Sequence, residues 1–141
     1  MERSDELRDL TLRYYEAVAT GDLSFFEQHV SRQEGAVFVG TDPGEVWEGF
    51  EAILEALRVQ AEAMGGGGLE IVPGQVRAYR EGNVGWVIDL GSSFRLPDGT
   101  EIPVRSTVIF HREEGEWKSV HAHSSIGMRN EELFGGDVSA S

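Results

Sequence analysis

The apolar residues change their period once along this chain, and the change falls at the glycine run Gly65-Gly66-Gly67-Gly68. Before the run, Leu7, Leu10, Thr11, Tyr14, Ala17 and Val18 form one stripe, which predicts an amphipathic helix over residues 4–20. Ser4 can cap it, Asp5 and Glu6 suit the positive end of its dipole, and Thr20-Gly21 supplies its stop. Asp22 then caps a second, shorter helix of about Leu23 to Ser31, which turns Phe25, Phe26 and Val30 toward the core. Ala36-Val37-Phe38-Val39 reads as a short strand, and Gly40 to Glu45 as a polar loop. Between Gly49 and Met64 the helical stripe returns with Phe50, Ile53, Leu54, Leu57, Ala61 and Met64. The glycines end that helix, because each costs backbone entropy there. They follow a helix and adjoin no Lys, so they read as a flexible linker and not as a phosphate-cradling loop.

After the run the period is two. Leu69 to Tyr79, Val84 to Phe94, Glu101 to Arg112 and Glu116 to Ile126 read as four strands. Glu81-Gly82-Asn83, Pro97-Asp98-Gly99 and Glu113-Glu114-Gly115 carry the Gly and Asn of hairpin turns, so successive strands should pair antiparallel. Pro73-Gly74 marks a bend or bulge in the first of them. The expected class is α+β, in the order α-α-β-α-β-β-β-β. Three helices lie in the concave face of a curved antiparallel sheet, since nothing else can bury their stripes, and the result is a cone with an open mouth. Residues 1–129 make one domain, and 130–141, small, acidic and without periodicity, are expected to be a mobile tail.

Composition removes whole classes of function. With no Cys there are no disulfides, thiolate nucleophiles or sulfur-based zinc sites. The 141 residues hold 12 Lys plus Arg against 25 Asp plus Glu, a net charge of −13 that repels phosphate backbones and anionic lipid surfaces. Only Arg77 and Arg80 cluster, so no nucleic-acid partner is expected. No apolar run approaches the roughly 20 residues of a spanning helix, and the first residues lack a signal-peptide pattern. The expectation is a cytoplasmic protein with no membrane partner.

Several segments resemble the nuclear transport factor 2-like superfamily, and within it the SnoaL-like and ketosteroid isomerase-like branches. Arg13-Tyr14-Tyr15-Glu16-Ala17 with Thr20-Gly21-Asp22-Leu23 is similar to the family's first helix and its turn. Trp47-Glu48-Gly49-Phe50-Glu51-Ala52-Ile53 is similar to the entry of its third helix, and Val84-Gly85-Trp86-Val87 to a core strand. Gly115-Glu116-Trp117-Lys118-Ser119-Val120 through His123-Ser124-Ser125 is similar to its closing strand. The resemblance covers residues 7 to about 132 and implies a cone that binds a small hydrophobic ligand. The fold hosts isomerases, cyclases, dehydratases and noncatalytic modules, so it does not choose among them.

In the isomerase branch the resemblance implies a carboxylate base beside a carbonyl, with a Tyr and a protonated Asp on the oxyanion, the handedness of roles known for ketosteroid isomerase. The Tyr falls on Tyr14. The base position falls on Gly40 or Thr41, with Asp42 the nearest carboxylate, and the second acidic donor falls on Thr107. These departures leave two readings: a cofactor-independent enzyme moving a proton on a hydrophobic carbonyl compound, or a noncatalytic binding or dimerisation module.

Strand parity nominates the remaining lining. The larger apolar set Trp86, Ile88 and Leu90 should face the core, leaving Asp89 outside. On the next strand, alternation favours Val104, Val108 and Phe110 inside while the resemblance favours Arg105 and Thr107, and Arg105 near the cavity could hold a carboxylate or enolate. On the last strand one face carries His121, His123 and Ser125, the other Val120, Ala122 and Ser124. Both stay open, His123 as a candidate acid or base and the other face as lining. Trp47 can wall the pocket. His121 and His123 lack a third partner in His29 or His111, so no metal is expected. Ser124, His123 and Asp89 lack a strained nucleophile turn. No cofactor is expected, and the expected protein partner is a second copy, through the convex sheet face.

Overall fold

The computed structural model describes residues 1–65 and 69–136. A two-residue strand, β1 (Glu2–Arg3), precedes the first helix. The Ser4 hydroxyl accepts the Leu7 N–H at 3.1 Å, satisfying one of the donors that every helix start leaves open, and α1 runs Asp5–Thr20. Gly21 stops it at φ 67°, a left-handed conformation that costs glycine nothing sterically. The Asp22 side chain caps α2 (Leu23–His29) through the Phe25 N–H. This helix ends before Ser31 because Val30 is already extended and bridges Ser119.

Two short strands follow, β2 (Val37–Val39) and β3 (Val46–Glu48), paired antiparallel around the loop from Gly40 to Glu45. β3 is too short to show an alternation in sequence. Next come α3 (Phe50–Ala63), β4 (Glu70–Val72), β5 (Gln75–Glu81), β6 (Val84–Arg95), β7 (Glu101–Glu113) and β8 (Glu116–Ser125). Pro73-Gly74 breaks the first long strand into β4 and β5, and a Cβ on Gly74 would lie 2.1 Å from the Leu90 carbonyl oxygen, so only glycine fits. A helix of five residues, α4 (Asn130–Phe134), forms in the segment expected to be a tail. Residues 137–141 of that expected tail, and Gly66–Gly68 of the expected linker, lie outside the described residues.

The strand order is β1-β5-β6-β7-β8-β2-β3, with β4 also on β6. The hairpin turns pair β5–β6, β6–β7 and β7–β8 antiparallel as the sequence predicts. β2 reaches β8 from the helices rather than through a hairpin and runs parallel to it, so the sheet is mixed. It curves without closing, and the three N-terminal helices fill the hollow, which is the expected α+β cone.

Two bulges reset side-chain parity. One lies between Asp89 and Ser92, with Gly91 at φ 84°. The other makes Val120 the extra residue, since Ile109 pairs His121 but Phe110 pairs Ser119. On β6 the expected orientation is reversed: Gly85, Val87 and Asp89 face the helices, whereas Ile88 and Leu90 are 36% and 47% exposed. The reason is the closeness of α1. A Cβ on Gly85 would sit 2.2 Å from Leu7 Cδ1, so the inward face of β6 admits small residues opposite the helix and sends the bulky set outward.

Candidate functional site

Between the helices and the concave side of the sheet lies a cleft of about 220 Å³. A dry apolar cavity of roughly 150 Å³ takes a benzene-sized guest, so this one has room for a ring with a short substituent. α1 supplies Tyr14, Tyr15 and Val18, and α2 supplies Phe26. The β2–β3 hairpin supplies Phe38, Val39, Gly40, Thr41, Glu45 and Trp47. Ser106 and Val108 from β7 and Ala122 and Ser124 from β8 form the sheet wall, with Phe94 beside them.

The sequence candidates divide between the two faces. Trp47, Ala122 and Ser124 line the cleft, and Thr107 borders both this cleft and one on the opposite face. Val120 does not line it, because the bulge takes it out of the alternation. Trp86, Ile88 and Leu90 are not lining residues either, for the packing reason given above. On β7 the apolar alternation prevails: Val104 and Phe110 are buried, which puts Arg105 on the exposed, convex side. His123 is also exposed there, beside His121, whose Nδ1 bonds the Val37 carbonyl at 2.7 Å.

Tyr14 does reach the lining, but its hydroxyl is occupied. It donates to the His29 carbonyl at 2.8 Å and shares a 2.6 Å hydrogen bond with Ser119 Oγ, while its ring meets Phe25, Phe26 and Phe110 edge-on. Burial pushes this phenol well above its ordinary pKa, the Ser119 hydrogen bond opposing only in part. Asp42 is an exposed turn residue: its Oδ1 accepts the Gly44 N–H at 2.9 Å, and it does not line the cleft.

Tyr15, Ser106 and Glu45, which the sequence does not nominate, line the cleft as well. Tyr15 donates its hydroxyl to Asp89 Oδ2 at 2.7 Å, and Asp89 Oδ1 accepts the Gly74 N–H at 3.0 Å. Asp89, expected outside, is 1% exposed. Burial first, then the hydrogen bond and charge of Asp89, raise the Tyr15 phenol far above the usual tyrosine range. Tyr15 continues the Leu7–Thr11 row at i+4, which was its one signal in the sequence. Ser106 Oγ and Ser124 Oγ form a 3.0 Å pair on the wall. Glu45 lines the mouth, with Oε1 accepting the Asp42 N–H at 2.8 Å. Its position depends on the hairpin, and nothing in its sequence neighbourhood announces it.

The arrangement suits a small apolar guest: aromatic walls exclude water, and a few hydroxyls and one carboxylate supply polar contacts. Among the described residues no group of three or more His, Asp or Glu side chains is placed to hold a metal, and no helix is long and apolar enough to cross a membrane.

The fold is shared with solved structures. An NTF2-like protein of unknown function from Pseudomonas putida KT2440 superposes with a TM-score of 0.76 at 19% identity, covering 90% of this chain and 88% of that one. An uncharacterized protein with a cystatin-like fold from Caulobacter vibrioides gives 0.72 at 18% identity, covering 92% of each chain. An NTF2-like protein from Novosphingobium aromaticivorans gives 0.68 at 21% identity, over 86% of this chain and 80% of that one. No sequence among curated proteins matches. The model of the SnoaL-like domain matches residues 7–129, nearly the whole of the cone, and the chain belongs to that family.

Proposed function

We propose that this protein binds a small, largely apolar molecule inside the cone. The observation that carries this reading is the cleft of about 220 Å³, walled by aromatic and aliphatic side chains and bordered by the β2–β3 hairpin, whose loop residues 41–44 are exposed. A ligand bound only by the folded state raises stability by about 2.7 kcal/mol at a concentration 100 times its Kd. A library of neutral one-ring and two-ring compounds, followed by thermal unfolding, should therefore give hits. Ala122→Phe, which fills the cleft from the sheet wall, should abolish them. A library without a single hit, or hits untouched by that substitution, would refute the reading.

Proton transfer on a hydrophobic carbonyl compound is the second reading. Its support is the Glu45 carboxylate at the mouth, in place of the Asp42 and His123 side chains, which face elsewhere. A second copy of the chain fits the convex face. Ile88 and Leu90 are exposed there beside Ile109 and His121, along a cleft that also holds Arg105 and His123. An apolar face of this kind on a sheet is what a subunit contact covers. Native mass spectrometry should give a dimer, and Leu90→Asp should give a monomer. A monomeric wild-type protein would remove this part of the proposal.

A further inference from the structure

We infer that the cavity selects a protonated amine carried on a small aromatic or aliphatic body, with the ammonium paired to the Glu45 carboxylate. This rests on the binding reading above and names its ligand class. Among the described residues that line the cleft, Glu45 is the one with a charged side chain, and no Lys, Arg or His stands in the lining to neutralise it. The loop residues 41–44 are exposed, yet Glu45 is half-buried. The side chain therefore stands partly covered at the edge of an apolar space, where its negative charge favours a cationic counterpart.

The carboxylate is held in place before any ligand arrives. Oε1 accepts the Asp42 N–H at 2.8 Å, the Glu45 N–H bonds the Asp42 carbonyl at 2.9 Å, and the Gly40 N–H bonds the Glu45 carbonyl at 2.9 Å. Gly40 makes the room: a Cβ there would lie 2.7 Å from Oε1, so any larger residue would displace the carboxylate. Among the described residues Oε2 accepts no hydrogen bond from the protein. The anchoring costs one oxygen and leaves the other for a guest, so little conformational entropy remains to be lost on binding.

The walls favour the same guest. Tyr15, Phe38, Trp47 and Phe94 line the space, and aromatic faces attract a cation through their quadrupole. The net charge of −13 draws cations toward the protein and repels anions. A carboxylate-bearing guest would meet Glu45 as a like charge, and a neutral one would leave it without a counterion.

Calorimetric titration with phenethylamine, phenethyl alcohol and benzoate tests the assignment, because the first two differ chiefly in charge. Wild-type protein should bind the amine on the order of tenfold more tightly than the alcohol, and benzoate most weakly. Glu45→Gln keeps an oxygen for the Asp42 N–H and the same side-chain length, so the turn and the thermal midpoint should persist. The preference for the amine should fall to within about twofold. Equal binding of amine and alcohol to the wild type, or a preference that survives in Glu45→Gln, would overturn the amine assignment and leave the cavity reading standing. Failure of all three probes to bind would overturn the assignment, and an empty neutral library as well would overturn the cavity reading.

Discussion

Replacing Tyr15 with Phe removes one of the two donors that hold the buried Asp89 carboxylate, the 2.7 Å bond to Oδ2, and leaves the 3.0 Å bond from the Gly74 N–H. The ring keeps its volume, so no cavity term enters. A hydrogen bond to a charged group contributes about 1.5–3 kcal/mol. Asp89 is 1% exposed, so water cannot replace the lost donor and the upper half of that range applies. For a domain of this length, the loss corresponds to a drop of about 5–12 °C in the thermal midpoint. Tyr14→Phe is the internal control. It also removes a buried hydroxyl, but its partners are a carbonyl and Ser119 Oγ, and Ser119 Oγ keeps a 3.3 Å bond to the His29 carbonyl. The expected loss is about 1 kcal/mol. Urea unfolding followed by circular dichroism should rank Tyr15→Phe below Tyr14→Phe. A cycle of Tyr15→Phe with Asp89→Asn should show a coupling of about 1 kcal/mol or more. A Tyr15→Phe protein within about 0.5 kcal/mol of wild type, or an additive cycle, would refute the argument that this pair anchors β6 to α1.

Gly85→Ala should destabilise by about 1–3 kcal/mol, because its Cβ would overlap Leu7 Cδ1; Leu7→Ala in the same chain should recover part of that loss, and simple additivity in unfolding titrations would count against the packing explanation. His29 titrates below the ordinary histidine value, through burial first and then the nearby Arg13 and Lys118 charges, with Glu116 opposing. The unfolded chain therefore binds the proton first as pH falls through about 6.5, and stability should decline there. His29→Gln should flatten that decline in unfolding midpoints measured across the window, and an unchanged slope would reject the assignment. Tyr14 and Tyr15 are both raised above 10.0, so the unfolded chain releases these protons first and stability should fall as pH rises through that value. Native tyrosinate absorbance should then account for at most one of the three tyrosines until the fold is lost, and early ionisation of two would contradict it.

The sequence by itself determined the three main helices, the long strands and most of their ends, though not β1, β3 or α4. Ser4, Gly21 and Asp22 stop and start helices through bonds between neighbours in the chain, and the glycines of the hairpin turns act on their own backbone. The change of period from helix to strand sufficed for the α+β class. These features are legible because the interactions that cause them are local. Parity could not be read in the same way. Either face of Trp86-Val87-Ile88-Asp89-Leu90 offers apolar residues, and what turned Asp89 inward is the approach of Leu7 to Gly85 and the two donors from Tyr15 and Gly74. The bulge at Val120 shifted the last strand by one residue for a reason that lies in its pairing with β7. Glu45 faces the cavity because a hairpin folds it over Gly40, and that hairpin pairs β2 to β8 in parallel. Which residues line the cleft was thus decided by the tertiary structure, since a strand has two faces of nearly equal local preference and only long-range packing selects between them.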